Sequence, residues 1–176
     1  MQRRPRYDPV FSGISRETTM RRTTAARAAR WMAAALFAVT AAHAVAAGPT
    51  DAQQEANRRA VLAFYEKGLN EKDADAALAY VGDRYVQHNP NAADGRDGFR
   101  KFVAFLRDKY PRSHSEIKRS FVDGDYVILH VHAVREPGTR GSAIVDIFKL
   151  ENGKIVEHWD VNQPVPEQAA NGNTMF

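Results

Sequence analysis

Residues 143–161 read AIVDIFKLENGKIVEHWDV, two apolar runs joined by Glu-Asn-Gly. Runs rich in β-branched and aromatic residues on either side of an Asn-Gly pair predict a β-hairpin. Asp146 interrupts the first run between Val145 and Ile147, although aspartate is a poor strand former and burying an ionised carboxylate costs free energy. The stretch therefore indicates an antiparallel sheet, and Asp146 is the residue in it that packing does not explain.

Helical periodicity dominates the chain before this hairpin, and strand periodicity dominates the chain around it. The predicted helices are residues 53–70, 73–81 and 99–110. The predicted strands are residues 115–122, 126–135, 142–150 and 154–161, with a brief extended piece at 84–90. Helices first and an antiparallel meander afterwards predict an α+β domain, in which a curved antiparallel sheet packs on about three N-terminal helices.

The face that Asp146 occupies follows from the register of the hairpin before it. If residues 127–135 pair with 142–150 around a loop centred on Thr139, His132 lies opposite Asp146, and Phe148 shares their apolar face. A neighbouring imidazolium would keep the carboxylate ionised, whereas burial would raise its pKa. The pair is then either a poised general base or a satisfied structural pair, and a one-residue slip in the loop would separate the two residues.

The register of the second hairpin has two alternatives. A two-residue Asn152-Gly153 turn places Trp159 opposite Asp146, whereas a bulged three-residue Glu-Asn-Gly loop places His158 there. The odd positions of this strand are the more apolar, which favours Trp159 on the inner face. Both alternatives remain open from the sequence.

The first 47 residues differ in composition from the remainder. They hold eight arginines and two acidic residues, whereas the remainder holds 17 basic and 19 acidic residues, so the basic pI belongs to the leader and does not indicate nucleic-acid binding. Basic residues, the apolar run 31–42 and an Ala-x-Ala site predict a signal peptide cut near Ala44 to Ala47, starting from Met1 or Met20. An uncleaved interfacial helix or a transit peptide is the alternative.

This leader predicts three segments and a location. Residues 1–47 would be a disordered start plus signal peptide, 48–166 the folded domain and 167–176 a flexible tail. The domain would be periplasmic or secreted, with no stable membrane anchor after cleavage. The chain has no cysteine, which excludes disulfides, thiol catalysis and thiolate metal sites.

Three stretches together resemble the SnoaL-like polyketide cyclase family, which belongs to the nuclear transport factor 2-like superfamily. They are His-Asn-Pro at 88–90, LHVHAV at 129–134 and DIFKLENGKIVEHWDVNQPVP at 146–166. The resemblance covers residues 54–166 and implies a cone-shaped domain that encloses one central apolar pocket. It also implies proton abstraction from an activated carbon of a small apolar carbonyl substrate, without a metal or organic cofactor.

The resemblance assigns roles to particular residues. Asp146 would be the general base and His132 its assistant, while His88 and Asn89 would orient a substrate carbonyl. The expected pocket lining is Trp159, Phe64 and Phe148. A metal centre built from histidines is the weaker alternative, because His-x-His is a ligand spacing but no known metal motif is present.

The two functional hypotheses are a cofactor-independent cyclase or isomerase and a non-catalytic periplasmic binding or interaction module of the same fold. In both, the partner is a small apolar molecule in the pocket and not a nucleic acid. The outer face of the meander is expected to form a homodimer.

Overall fold

The computed structural model describes residues 48–176, so the predictions for the leader lie outside the described residues. The helices are α1 (Asp51–Tyr65), which continues as a π-helical turn (Glu66–Asn70), α2 (Ala74–Leu78) and α3 (Gly95–Lys109). The strands are β1 (Val81–Gln87), β2 (His114–Asp123), β3 (Tyr126–Val134), β4 (Ser142–Glu151) and β5 (Lys154–Pro164). Within residues 48–176, none of the helices is long and apolar enough to cross a bilayer.

Local capping chemistry sets the start of the first two helices. The Thr50 hydroxyl accepts a hydrogen bond from the Gln53 amide at 3.3 Å, and the Asp73 carboxylate accepts one from the Ala76 amide at 2.9 Å. Each side chain thereby satisfies an amide that has no partner inside its helix. The caps fix where α1 and α2 begin, and hence which faces they turn toward the sheet.

The five strands form one sheet in the order β1-β5-β4-β3-β2. The α+β class with three helices and a curved sheet is confirmed, but the sheet is mixed, because β1 runs parallel to β5. The brief extended piece predicted at residues 84–90 is thus a strand at the sheet edge. It lies beside the last strand of the chain, a pairing that no local sequence pattern specifies.

The register between β3 and β4 differs from the predicted one. Leu129 lies opposite Asp146, and His132 lies opposite Ala143. The loop turns around Pro137 and Gly138, since the Thr139 amide donates to the Glu136 carbonyl at 3.1 Å, and it is therefore not centred on Thr139. The shift is an odd number of residues, so it exchanges the two faces of β3.

The predicted pairing of His132 with Asp146 is therefore wrong. The inward side chains of β3 are Val127, Leu129 and Val131, all fully buried. His132 points to the outer face of the sheet, where its ring centroid lies 4.4 Å from that of Phe176. The last residue of the tail, predicted to be flexible, thus lies against the sheet.

The β4–β5 hairpin combines a short turn with a bulge. Asn152 and Gly153 both have positive φ, and Glu151 pairs with Lys154, as the two-residue alternative requires. The register then shifts by one residue opposite Lys149 and Leu150, with Val156 as the extra residue. Beyond the bulge, Phe148 pairs with His158 and Asp146 with Asp160.

Neither alternative for the residue opposite Asp146 is correct, because Asp160 occupies that position. His158 and Asp160 face inward, and Trp159 faces outward. The prediction of Trp159 on the inner face followed from the apolar odd positions near the turn. Ile155, which precedes the bulge, does face inward. The extra residue at Val156 then reverses the alternation, so that Trp159 faces outward.

The core lies between the helices and the inner face of the sheet. Phe64 of α1 contacts Phe99 of α3 at 4.9 Å and Phe148 of β4 at 5.8 Å between ring centroids. Val61, Val103 and Leu150 complete this contact within the same buried cluster. The aromatic rings tie both long helices to the strand that carries Asp146, and a cavity of about 1440 Å³ extends beside them.

Candidate active site

Asp146 is the buried centre of the candidate site. Its exposed fraction is 4%, and its carboxylate lies in the cavity wall. Oδ1 lies 2.9 Å from Nε2 of His158, and Oδ2 accepts a hydrogen bond from the Tyr65 hydroxyl at 3.1 Å. Three elements, α1, β4 and β5, therefore meet at one carboxylate.

The surroundings of Asp146 act on its pKa in opposite directions. Burial raises the pKa, while the hydrogen bond and the charge of His158 lower it. Asp160 raises it through like-charge repulsion, the Tyr65 hydrogen bond lowers it, and the net result is a raised pKa. A carboxyl group whose pKa moves toward neutrality is suited to giving and taking protons.

Asp160 is the second carboxylate of the site, directly across the ladder from Asp146. Nδ2 of Asn89 lies 2.8 Å from one of its oxygens and 2.7 Å from the other. Like charges opposed across two strands are unfavourable, and a donor on the second carboxylate offsets part of that cost. Asn89 thus holds Asp160 in place from the β1–α3 connection.

A metal ion could in principle use the same group. One ligand atom each from Asp146, His158 and Asp160 lie within 4.8 Å of one another. In this structure Asp146 hydrogen-bonds both His158 and Tyr65. His158 also hydrogen-bonds Gln87, and Asp160 accepts a hydrogen bond from Asn89. These hydrogen bonds describe a group that is also suited to acid–base chemistry.

Gln87, the last residue of β1, connects these groups. Its Oε1 accepts a hydrogen bond from the backbone N–H of Asn89 at 2.9 Å, and the same oxygen lies 3.0 Å from Nδ1 of His158. Its Nε2 donates to the Tyr85 hydroxyl at 3.3 Å. Tyr85 is buried in the cavity wall, and burial raises its pKa far above the ordinary value. Gln87 therefore joins β1 to the acid–base residues of β5.

Four of the residues expected at the site line the cavity: Asp146, Asn89, Phe64 and Phe148. Phe64 and Phe148 form its apolar wall, and Asn89 contributes to its polar end through Asp160. These placements leave the proposed roles of the residues as predictions.

The other three expected residues lie outside the cavity. His132 Nε2 is 2.8 Å from the Arg140 carbonyl on the outer face. Trp159 and His88 stack on each other with centroids 4.5 Å apart, and His88 also contacts the Glu157 carboxylate at 3.3 Å. The odd register shift in β3 moves His132 out, and the bulge in β5 moves Trp159 out.

The site residues that no sequence pattern indicated are Tyr65, Tyr85 and Gln87. His158 was expected at the site in only one of the two alternative registers, and Asp160 was expected opposite Asp146 in neither. Tyr65 follows Phe64 within the helical apolar stripe, and Tyr85 and Gln87 alternate along β1 before His88. Strand alternation from Tyr85 places Gln87 on the same face. That pattern, if applied to the extended piece, would have found Tyr85 and Gln87 but not Tyr65.

Comparison with known proteins defines the class of this domain. Solved structures with the same fold include an uncharacterised cystatin-fold protein from Novosphingobium aromaticivorans, at 25% identity and a TM-score of 0.52, covering 60% of this chain and 97% of that one. A candidate SnoaL-like polyketide cyclase from Jannaschia sp. CCS1 matches at 18% identity and a TM-score of 0.54, covering 66% and 91%.

A candidate ketosteroid isomerase from Kribbella flavida matches at 17% identity and a TM-score of 0.55, covering 67% of this chain and 85% of that one. The chain therefore has the cone fold of nuclear transport factor 2-like proteins. Residues 61–158, more than half of the chain, match the family model of the SnoaL-like domain, and the protein belongs to that family. Comparison with functionally curated proteins finds no match.

Proposed function

We propose that this domain is a cofactor-independent enzyme of the cyclase or isomerase type. Asp146 would remove a proton from the carbon next to the carbonyl of a small apolar substrate, and His158 would assist it. The observation that carries the proposal is the buried Asp146 carboxylate held between His158 at 2.9 Å and Tyr65 at 3.1 Å in a cavity wall. The assisting role that the family resemblance assigned to His132 passes to His158 in this proposal.

The proposed step begins when a carboxylate oxygen of Asp146 takes the proton. The electron pair of the broken C–H bond forms a C=C bond, and the carbonyl oxygen gains the negative charge. An isomerase would return the proton to another carbon of the enolate, whereas a cyclase would let the enolate carbon attack a second carbonyl of the same molecule. Donors in a poorly hydrated pocket stabilise the enolate oxygen better than water does.

The fold supports this class of chemistry. Proteins of the same fold include candidate polyketide cyclases and a candidate ketosteroid isomerase, both of which are named for reactions at carbonyl-activated carbons. Fold likeness at these identities bears on architecture alone, so the chemical proposal depends on the site.

Exchange of α-protons for deuterium tests the proposal without knowledge of the natural substrate. The apolar ketone 2-tetralone is incubated with the protein in D2O, and its mass increase is followed over time. We expect exchange above the buffer rate with the wild type and with His132→Asn, whose side chain lies outside the cavity, but not with Asp146→Asn. Equal rates for Asp146→Asn and the wild type would refute the assignment.

A non-catalytic binding module is the second candidate. Both oxygens of Asp146 already have hydrogen-bond partners within the protein, as expected of a structural carboxylate. Native mass spectrometry of the purified protein would identify a retained small molecule. An intact apolar ligand, with no exchange of its α-protons in D2O, would favour binding over catalysis.

We also propose export and dimerisation. The basic leader, its apolar run and the Ala-x-Ala site support export, and N-terminal sequencing of protein from a periplasmic fraction would test cleavage near Ala44 to Ala47. The outer face of the sheet exposes four large apolar side chains, and such apolar surface supports a homodimer; they are Phe121, Tyr126, Val145 and Val161. Light scattering would measure the mass in solution.

A further inference from the structure

The orientation of the Gln87 amide is determined by a backbone group. The Asn89 amide N–H lies 2.9 Å from one end of the Gln87 side chain, and a backbone N–H can only donate. That end must be the carbonyl oxygen, because the amide NH2 in its place would set two donors against each other. Oε1 therefore faces His158, and Nε2 faces Tyr85.

This orientation determines which nitrogen of His158 carries a hydrogen. Nδ1 lies 3.0 Å from Oε1 of Gln87, which is an acceptor, so Nδ1 must be the N–H donor. Nε2 then faces Asp146 at 2.9 Å either with a lone pair or with a second proton. In the first form the proton sits on Asp146, and in the second it sits on His158. The neutral tautomer with hydrogen only on Nε2 is excluded.

The other end of Gln87 directs the Tyr85 hydroxyl. Nε2 donates to this oxygen at 3.3 Å, so the hydroxyl hydrogen must point elsewhere. Among residues 48–176, no hydrogen bond donated by this hydroxyl is found. Tyr85 is 4% exposed and lines the cavity beside the acid–base residues. The hydroxyl is a donor available to an oxygen atom of a bound molecule.

We propose that Gln87 is a positioning residue that fixes the direction of this hydrogen-bond chain. It places the shared proton between His158 and Asp146, and it turns the Tyr85 hydroxyl toward the cavity as the donor to the carbonyl oxygen of the substrate. The Tyr85 part rests on the proposed function, whereas the His158 part does not. Tyr65 and Asp160 also face this group, and their hydrogen-bond partners are Asp146 and Asn89.

The first test is nitrogen-15 NMR of the histidine rings, with the signal of His158 assigned from the spectrum of His158→Asn. We expect Nδ1 of His158 to show the shift of a protonated, pyrrole-type nitrogen throughout a pH titration of the wild type. In Gln87→Leu, the tautomer with hydrogen on Nε2 should become populated. A pyridine-type Nδ1 in the wild type, or an unchanged Nδ1 in Gln87→Leu, would overturn the assignment to Gln87.

A second variant separates the two roles of Gln87. In Gln87→Glu, the carboxylate accepts at both ends, so Nδ1 of His158 keeps its hydrogen while the Tyr85 hydroxyl turns to donate to the new side chain. Deuterium exchange of 2-tetralone should then fall about 100-fold, as it should in Tyr85→Phe, because one donor to the enolate oxygen is lost. Because glutamate has nearly the same shape as glutamine, Gln87→Glu also keeps the proposal testable if Gln87→Leu does not fold.

Gln163→Glu is the matched control, because it makes the same chemical change on an exposed part of β5. We expect it to alter neither the His158 spectrum nor the exchange rate. Exchange that survives in Gln87→Glu and Tyr85→Phe would refute the role of Tyr85. Absence of exchange in the wild type would count against the proposed function alone, since the NMR result does not depend on turnover.

Discussion

Asp146 and His158 hydrogen-bond at 2.9 Å although they are not direct partners in the β4–β5 ladder. The direct partner of Asp146 is Asp160, and His158 reaches Asp146 from the next pair on the same face of the ladder, where it lies opposite Phe148. The single extra residue at Val156 creates this relation, because it brings both His158 and Asp160 to the inner face. The site is therefore a product of the bulge.

The two histidines should differ in their effect on exchange. His158→Asn removes the partner of Asp146, and we expect a loss of roughly 100-fold in deuterium exchange of 2-tetralone, as for loss of general acid–base assistance. His132→Asn should leave the rate unchanged, since that side chain contacts the Arg140 carbonyl on the other face. A larger loss in His132→Asn than in His158→Asn would contradict the register described above.

Asp146→Asn should change the pH dependence of stability. Burial raises the pKa of Asp146 above its ordinary value of 3.8. As the pH rises from 3.8 toward the raised pKa of the folded protein, Asp146 loses its proton in the unfolded chain first, which favours unfolding. The wild type therefore loses stability over this range relative to Asp146→Asn, whose side chain does not ionise. Urea unfolding of both proteins from about pH 3 to about pH 7 measures the difference. A difference that does not vary with pH would contradict the raised pKa.

Asn89→Ala should destabilise the fold by about 2 kcal/mol, because it removes the hydrogen bonds to a partly buried charged carboxylate and the one that the Asn91 backbone amide donates to Asn89 Oδ1. The midpoint of urea unfolding measures the loss. Asn91→Ala is the matched control, since Asn91 is exposed and only its backbone amide is bonded in this turn. A loss as large in Asn91→Ala would show that the turn itself, and not the contact with Asp160, is the cause.

Gly98→Ala should destabilise the protein by about 3 kcal/mol despite the better helix propensity of alanine. A Cβ at this buried position would lie 2.1 Å from the Ala93 carbonyl oxygen, so the backbone must move. Thermal unfolding measures the loss. Gly172→Ala, which meets nothing within 4 Å, should leave the melting temperature unchanged. A Gly98→Ala protein as stable as the wild type would contradict this prediction and would mean that the β1–α3 backbone shifts with little loss of free energy.

The helices and four antiparallel strands could be predicted because their signals are local. The periodic apolar stripe of residues 99–110 and the Asn152-Gly153 pair each specify one element. Asp146 could be selected as the central residue because a carboxylate inside an apolar strand is costly without a role. Each of these inferences depends only on residues that are close together in the sequence.

The partners of Asp146 could not be predicted in the same way. They depend on the centre of the β3–β4 turn and on the bulge at Val156, and a shift of one residue in either reverses a whole strand face. The sequence suggested His132 and Trp159 on the inner face, and the structure places both on the outer face. Tyr65 reaches the site through tertiary packing of α1 on the sheet, which no spacing in the sequence encodes.

The parallel pairing of β1 with β5 has a consequence for synthesis of the chain. Within residues 48–176, the strand that pairs with β1 is β5, the last of the five, so this edge of the sheet stays open until β5 has left the ribosome. Contacts between such distant segments form slowly, because a long loop must close first. A nascent chain that ends before β5 lacks the strand that pairs with β1 and also lacks His158 and Asp160, so it holds an incomplete site.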